Sequence, residues 1–450
     1  MVMTRLDEWF DENESRFQQL NPVEVHGRIT GITGILLEAS LPDARIGDLC
    51  RITGKDNVQV LAEVVGFNPE NTLLSALGSL NGIAQGARVT PLYQPHKISV
   101  SKKLLGSVLD GFGRPLDDQS VSAFALDGEH VEAYPVLRSA PPATDRPRIN
   151  EALSTGVRAI DGLITLGTGQ RMGLFAGAGC GKTTLLAEVA RNTPCDVIVF
   201  GLIGERGREL GEFLEHELDE TLREKTIMVC ATSDRSSMER ARAAFTSTAI
   251  AEAFREEGKS VLLIIDSLTR FARAQREIGL ALGEPPGRGG LPPSVYTLLP
   301  GLLERAGKTH QGSVTALYSV LMEADSTNDP VADEVRSLID GHIILNRKLA
   351  EKGHFPAIDV LSSLSRTMTN VVDPVQTQMA RKFRQLMAAF SQVEILIRLG
   401  EYEPGSDLLT DVAVRLQPSI NNFLQQGNHQ PEPFIHMLNK LEDLINESGL

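Results

Sequence analysis

A glycine-rich stretch that ends in lysine and threonine has the residue types and spacing for chemistry. It comprises Gly177, Ala178, Gly179, Cys180, Gly181, Lys182, Thr183 and Thr184. Glycines allow backbone N–H groups to close around phosphate oxygens, and Lys182 can reach the outermost phosphates. The hydroxyl of Thr183 is a suitable ligand for Mg²⁺. The stretch therefore predicts that the chain binds ATP together with Mg²⁺.

Asp266 is a second candidate for the same chemistry. It ends a continuous apolar run over residues 261–265, as expected for a buried central strand with a carboxylate at its carboxyl end. In that position it would hold Mg²⁺ through water. The alternative is that Asp266 caps a helix that starts at Ser267.

Glu205 is the candidate general base. A strand-like run over residues 197–202 leads into residues 204–209, Gly-Glu-Arg-Gly-Arg-Glu. The carboxyl ends of such strands form the ligand-binding edge of an open α/β sheet. A carboxylate near the γ-phosphate can orient the attacking water and accept its proton. Taken alone, these acids and arginines also fit a solvated loop.

The surrounding elements indicate an α/β fold. Residues 172–176 form an apolar run before the glycine-rich loop, and residues 185–191 after it have a helical pattern. Strand-like and helical patterns alternate over roughly 200 residues, which is typical of a parallel sheet.

The sequence divides into four segments. Residues 1–22 predict an amphipathic helix that stops at a proline, and residues 23–95 contain short β-type runs separated by glycine turns. We expect the second segment to be a small β-barrel. Residues 96–375 contain the motifs above and form the predicted catalytic domain. Residues 376–450 follow helical spacing and predict a helical domain.

Composition narrows the class of protein. The 450 residues carry a net charge of −14, which argues against a nucleic-acid partner because such binding depends on clustered Lys and Arg. The four cysteines have neither metal-ligand spacing nor a disulfide pattern. No apolar run approaches the about 20 residues that span a bilayer, and the acidic start does not read as a secretory signal.

The motifs together resemble the catalytic subunits of rotary ATPases. Residues 356–365, Pro-Ala-Ile-Asp-Val-Leu-Ser-Ser-Leu-Ser, fit the signature of that superfamily in full. Residues 47–50, 266–272 and 296–305 resemble most the type III secretion ATPases and their flagellar-export relatives, and we favour the injectisome members. The resemblance implies an ATP hydrolase with a P-loop, RecA-like parallel sheet core, an N-terminal β-barrel and a C-terminal helical domain.

The resemblance also implies roles for particular residues. The catalytic glutamate of the family falls on Glu205 and its neighbouring arginine on Arg206. The arginine finger falls on Arg366, which would reach the γ-phosphate of the adjoining subunit and stabilise developing negative charge. Phe355 falls where the superfamily places an aromatic ring against adenine. From residue pattern alone, Arg366 would be a surface arginine and Phe355 a core residue.

Partners and location follow from the same resemblance. It implies a homohexamer with nucleotide sites at subunit interfaces, located in the cytoplasm at the inner-membrane face of the secretion apparatus. The N-terminal helix would dock to a stator protein, and the ring would surround a central stalk faced by residues 283–290. A separate hypothesis is that the helices at the carboxyl end, with Phe434, Met437, Leu438 and Leu441, receive chaperone–effector complexes. Core packing explains these residues equally well. Association with the membrane would be peripheral, through these partners.

Three other classes share part of the pattern. A rotary synthase subunit has nearly all the motifs, but it works as unlike paired subunits, whereas this chain carries both Glu205 and Arg366. A ring-shaped nucleic-acid translocase uses the same core. Within residues 25–95, however, only Phe67 and Tyr93 are aromatic, too few for a base-stacking platform. A non-enzymatic nucleotide-dependent scaffold gains little support from a sequence that carries Lys182, Thr183, Asp266 and Glu205.

Overall fold

The computed structural model describes residues 9, 25–126, 133–322, 329–405 and 407–449. The chain forms two compact units, Met1–Pro95 and His96–Leu450. Apart from Trp9, whose side chain is exposed, the helix predicted over residues 1–22 lies outside the described residues.

The first unit contains a closed β-barrel. Its strands are β1 (Gly27–Thr33), β2 (Leu36–Ser40), β3 (Asp48–Thr53), β4 (Gln59–Phe67), β5 (Thr72–Ala76) and β6 (Arg88–Pro95). They follow the order β1-β2-β5-β4-β3-β6 around the barrel, with antiparallel neighbours. Leu37, Ile52 and Leu74 are fully buried in its core, as the alternation of side chains along a strand requires. The predicted small β-barrel is confirmed.

The second unit begins with short elements. They are β7 (Lys97–Ser99), β8 (Val108–Leu109), β9 (Phe124–Ala125), β10 (Ala133–Pro135), β11 (Ala152–Leu153), α1 (Arg158–Leu163) and β12 (Leu166–Gly167). Strands β10, β7 and β9 form a small antiparallel sheet, and β11 pairs with β12. Every residue of α1 after Arg158 is buried. The helix is therefore anchored in the core, and its first residue, Arg158, is partly buried.

A central sheet organises the second unit. Its remaining strands are β13 (Arg171–Ala176), β14 (Val197–Ile203), β15 (Thr226–Ala231), β16 (Ser260–Asp266), β17 (Gly307–Lys308), β18 (Ser313–Leu321), β19 (Gly341–Leu345) and β20 (Leu364–Ser365). They follow the order β20-β19-β13-β18-β16-β14-β15-β8, with β17 on β18. All neighbours are parallel except β20 on β19 and β17 on β18. The predicted parallel α/β core is confirmed.

Helices connect the strands of this sheet. They are α2 (Lys182–Asn192), α3 (Gly207–His216), α4 (Glu220–Arg223), α5 (Ser237–Glu256), α6 (Leu268–Ala281), α7 (Pro293–Leu303), α8 (Pro330–Leu338), α9 (Arg347–Glu351) and α10 (Met368–Val371). Strands β14 and β15 are buried along their whole length, which explains their continuous apolar sequence.

Three helices complete the chain: α11 (Pro374–Leu399), α12 (Leu408–Leu424) and α13 (Phe434–Ser448). The side chain of Asp373 caps α11 by accepting from the N–H of Gln376 at 2.7 Å, and Pro374 occupies the first helical turn. These helices belong to the same compact unit as the central sheet, and the predicted helical character is confirmed. None of the helices in the described ranges has the length and apolar character needed to cross a membrane.

Candidate active site

The glycine-rich loop joins the carboxyl end of β13 to the start of α2. Gly179 and Gly181 both have φ of 78°, a left-handed conformation that glycine adopts without a steric penalty. Cys180 is buried while Ala178 and Gly179 are exposed, so the outer side of the loop is open. The amino end of α2 begins at Lys182 and carries the positive end of the helix dipole, which favours a phosphate.

Lys182 lies between two carboxylates at this edge of the sheet. Its Nζ donates a hydrogen bond to Oδ1 of Asp266 and is 3.7 Å from Oε1 of Glu205. Ser319, on the strand between β13 and β16, donates its hydroxyl to the same Asp266 oxygen at 2.8 Å. Three side chains predicted from separate motifs are thus brought together, because the carboxyl ends of β13, β14 and β16 meet at one edge.

The environment of Glu205 raises its pKa to about 7. Burial is the main cause, and the negative charge of Asp266 adds to it. A hydrogen bond with Glu209 acts in the same direction, whereas the positive charges of Lys182 and Arg270 oppose the shift. A carboxyl group with a pKa near neutrality is suited to accept a proton at physiological pH.

Arg270 holds the other side of the Glu205 carboxylate. Its guanidinium is 3.1 Å from Oε2, while Oε1 has no hydrogen-bond partner among the described residues. Gly204 has φ of 68°, and a β-carbon there would lie 2.9 Å from Cδ of Arg270. Glycine is therefore required directly before Glu205, both by the backbone and by the close approach of Arg270.

Thr183, Glu205 and Asp266 line one cavity of about 400 Å³. Their hydroxyl and carboxylate oxygens are the donor types that Mg²⁺ prefers. Among the described residues there is no group of three or more His, Cys, Asp or Glu that could hold a metal ion by itself. A hydroxyl and two carboxylates fit an ion that takes a few protein ligands and fills its other positions with water and phosphate oxygens.

A second cavity, of about 510 Å³, is also lined by residues of the glycine-rich loop. Its lining comprises Val157, Gly179, Cys180, Gly181, Thr184, Leu185, Glu188, Leu345, Phe355, Pro356, Ala357, Gln426, Gly427 and Asn428. Phe355 is 43% exposed, and its ring lies 3.6 Å from the place of a β-carbon on Gly181. The apolar walls and the exposed ring are suited to contact a nucleobase.

Arg366 lies near the amino ends of the parallel strands, whereas the glycine-rich loop follows the carboxyl end of β13. The preceding residue, Ser365, pairs with Gly341 at the start of β19, and β19 runs parallel to β13. The Arg366 side chain donates to the carbonyl of Ile339 at 3.1 Å. The six residues of β13 span about 17 Å at the usual rise per residue. Arg366 is therefore not brought to the site of its own chain.

Arg206 follows Glu205 but does not join the cluster around Lys182. Its side chain is 79% exposed, and its guanidinium is 3.5 Å from the carboxylate of Glu209. Any contact with phosphate would require a different side-chain direction.

Sequence reasoning missed several residues of the site. Arg270 lies within residues 266–272, which carry part of the family resemblance. Its position four residues after Asp266, on the next helix, was a signal that could have identified it. Ser319 lies within an apolar strand, and residues 426–428 lie in a polar loop. Neither has a local pattern that points to a nucleotide site.

The fold and the site define a P-loop nucleotide-binding protein. Comparison with protein families agrees: residues 156–365 match the nucleotide-binding domain of the ATP synthase alpha/beta family. Residues 29–92 match the β-barrel domain of that family. Residues 372–443 match the C-terminal domain of the T3SS EscN ATPase.

Individual relatives narrow the family. The chain is 62% identical over 436 residues to the type 3 secretion system ATPase of Pseudomonas savastanoi pv. phaseolicola, with 97% of each chain covered. The flagellum-specific ATP synthase of Bacillus subtilis is 43% identical, with 90% of this chain and 92% of the relative covered.

Solved structures give the same result. The assembled ATPase EscN of the enteropathogenic E. coli type III secretion system has a TM-score of 0.87 and 44% identity, and 93% of this chain and 100% of that chain are covered. In complex with its central stalk EscO, the same ATPase has a TM-score of 0.84 and 43% identity at the same coverage. This chain belongs to the type 3 secretion system ATPases of the ATP synthase alpha/beta family. The resemblance inferred from the motifs is confirmed.

Proposed function

We propose that this chain hydrolyses ATP with the help of Mg²⁺ and thereby drives protein export by a bacterial type III secretion apparatus. One observation carries the proposal: Lys182, Glu205 and Asp266 converge beside the glycine-rich loop. The export role is supported by 62% identity to a type 3 secretion system ATPase. Flagellar export is the second candidate, and the lower identity of 43% to a flagellar relative makes it less supported.

The proposed chemistry is attack of water on the γ-phosphorus of ATP, which breaks the bond to the oxygen that bridges the β- and γ-phosphates and releases ADP and inorganic phosphate. Lys182 exchanges its carboxylate partners for phosphate oxygens when ATP binds, and the start of α2 receives the phosphates on its backbone N–H groups. Glu205 accepts the proton of the attacking water. Thr183, and Asp266 through water, would hold Mg²⁺, which would supply charge neutralisation at the phosphates. Adenine occupies the cavity beside Phe355.

We further propose that the working form is a homohexamer with Arg366 acting on the site of the adjoining subunit. The position of Arg366, at the sheet edge away from the loop of its own chain, supports a role in trans. A guanidinium there would stabilise the charge that develops on the transferred phosphoryl group. The assembled state of EscN supports the ring. Arg206 would assist beside Glu205 once the phosphates are bound.

The proposed partners follow from the same family. A central stalk is supported by the complex of EscN with EscO. A stator protein at the N-terminal helix, chaperone–effector complexes at α11–α13, and a cytoplasmic location at the inner-membrane face complete the proposal. Membrane association would be through these partners, and we propose no role for nucleic acid.

The test is the rate of ATP hydrolysis per subunit, measured against protein concentration with the mass determined alongside. A rate that rises steeply as hexamers form would support interface sites. A constant rate in a persistent monomer would mean that one chain completes the site, and the proposed trans role of Arg366 would have to be withdrawn. No hydrolysis in the hexamer would overturn the enzymatic proposal.

A further inference from the structure

One wall of the larger cavity comes from a loop that follows α12. This loop, residues 425–433, lines the cavity with residues 426–428. It is joined to the wall that contains Phe355 by one backbone hydrogen bond, from the N–H of Gln426 to the carbonyl of Phe355 at 2.9 Å. Residues from two distant parts of the chain therefore shape the same end of the cavity. What fixes the loop also fixes the distance between these two walls.

Arg158 fixes the loop from the side away from the cavity. Its Nε donates to the carbonyl of Phe423 at 2.8 Å, and Nη2 donates to the carbonyls of Asn422, at 3.0 Å, and Gln425. The last carbonyls of a helix have no partner within the helix, and a cation at that end also meets the negative pole of the dipole. Arg158 thus caps the carboxyl end of α12.

A carboxylate holds the remaining side of the guanidinium. Nη1 of Arg158 is 3.2 Å from Oε2 of Glu432, and the two side chains are only 13% and 14% exposed. Glu432 lies at the far end of the loop and also binds Lys440 of α13. One guanidinium therefore ties both ends of the loop to the start of α1.

The side chain of Gln426 is fully used by the same attachment. Its Oε1 accepts from the backbone N–H of Arg158 at 2.9 Å. Its Nε2 donates to the carbonyls of Gly156, at 2.7 Å, and Gln430, at 2.6 Å. The amide has no donor left for a nucleobase, so Gln426 supports the wall rather than reads the base.

The backbone just before Arg158 is itself fixed by hydrogen bonds. Fully buried Asp161 accepts from the backbone N–H groups of Thr155, at 2.8 Å, and Gly156, at 3.0 Å. Gly156 has φ of 73°, and a β-carbon there would lie 3.0 Å from Cβ of Pro431 in the loop. The loop is therefore fastened to a part of the chain that is anchored in the core.

We infer that Arg158 is a positioning residue for the nucleoside end of ATP, although it lines no part of the cavity in which the base would bind. Its loss removes the side-chain contacts that hold both ends of the loop, while Lys182 and the phosphate loop keep their own contacts. ATP is then held mainly through its triphosphate. This inference rests on the proposed function, because it takes ATP to be the occupant of the cavity.

The test compares Arg158→Gln with wild type in ATP hydrolysis and in inhibition by inorganic tripolyphosphate, which lacks the nucleoside. The KM for ATP is expected to rise about tenfold with kcat within about twofold. The inhibition constant of tripolyphosphate is expected to stay within about twofold of the wild-type value. The matched control is Arg347→Gln, since Arg347 is 71% exposed and pairs only with Glu351 among the described contacts; its values should not change.

The outcomes separate the two proposals. Failure of the wild-type protein to hydrolyse ATP contradicts the proposed function. With wild type active, an unchanged KM in Arg158→Gln, or equal weakening of ATP and tripolyphosphate, overturns the positioning role. If Arg158→Gln does not fold, Gln426→Leu provides the same comparison. It removes the three amide hydrogen bonds and keeps the backbone bond to Phe355, so its KM for ATP should rise without a change for tripolyphosphate.

Discussion

Lys182 and Asp266 form an ion pair at the carboxyl edge of the central sheet, with 11% and 4% of their side chains exposed. Lys182 faces a second carboxylate, because Glu205 lies 3.7 Å away, and Arg270 pairs with the other oxygen of Glu205. ATP adds more negative charge to this site. Binding without a cation would therefore place phosphates beside Asp266 after Lys182 has turned to the phosphates.

Removal of Mg²⁺ is expected to weaken ATP binding by about tenfold or more and to stop hydrolysis, because Asp266 and the phosphates then repel each other. Equilibrium binding of ATP in buffer with EDTA, compared with buffer containing Mg²⁺, measures the effect. Equal affinity in the two buffers would contradict the assignment of Thr183 and Asp266 to the ion.

Lys182→Ala is expected to abolish hydrolysis and to weaken ATP binding by about a hundredfold, since a buried charge pair loses one partner and the phosphates lose a cation. Calorimetric binding and a phosphate-release assay measure both effects. The exposed Lys348 on α9 provides the control, Lys348→Ala, which should behave as wild type.

Glu205→Gln is expected to retain ATP binding while hydrolysis falls by about a hundredfold or more, because the amide cannot accept a proton. The raised pKa of Glu205, to about 7, gives the sign of the pH dependence. The base form predominates above that pKa, so wild-type kcat/KM, which reports groups of the free enzyme, should fall as the pH is lowered through neutrality. Residual turnover of the Gln variant should lack this fall. Full turnover in the variant would identify another base.

Arg366→Ala is expected to assemble yet turn over poorly, and mixing tests whether it acts in trans. An equimolar mixture with Lys182→Ala contains interfaces at which one subunit supplies Lys182 and the next supplies Arg366. Random assembly makes about a quarter of the interfaces complete. Activity should therefore recover in the mixture although each variant alone is inactive. No recovery in mixed hexamers would contradict the shared site.

Glu252→Gln tests a buried ion pair away from the site. Glu252 and Arg305 are each 1% exposed, and Nε of Arg305 donates to Oε2 of Glu252 at 3.1 Å. Loss of the carboxylate charge leaves Arg305 uncompensated, which should lower the free energy of unfolding by about 3 kcal/mol. Urea unfolding followed by circular dichroism measures it. Glu351→Gln, at a pair that is 61% exposed on the acid side, should change it by less than about 0.5 kcal/mol.

Much of the site could be predicted from the sequence because its signals are local. The glycine-rich loop, the apolar run before Asp266 and the strand before Glu205 each combine a residue type with a neighbouring element. Parallel strands then place all three at one edge. The barrel and the C-terminal helices were predictable for the same reason, since periodicity is a property of adjacent residues.

The residues that could not be predicted depend on long-range contacts. Arg158 and Gln426 are 268 positions apart in the chain, and neither lies in a motif. Arg305 and Glu252 meet across 53 positions. Such pairs are specified by how helices pack, and a single sequence contains no pattern that reveals them. Arg270 is an intermediate case. It lies in a motif, but only the structure shows that its side chain contacts Glu205.

Lys182 lies at the carboxyl ends of the parallel strands, whereas Arg366 lies near their amino ends. This separation has a consequence for the consumption of ATP in the cell. Under the proposed arrangement, a newly made chain supplies Lys182 to one site and Arg366 to another, and by itself it completes neither site. ATP would be hydrolysed only where rings have formed. The length of β13 keeps Arg366 away from the loop of its own chain, and it would thereby prevent hydrolysis by unassembled subunits. A copy that lacks both Lys182 and Arg366 would silence two neighbouring sites, which makes such a ring sensitive to inhibition by inactive chains.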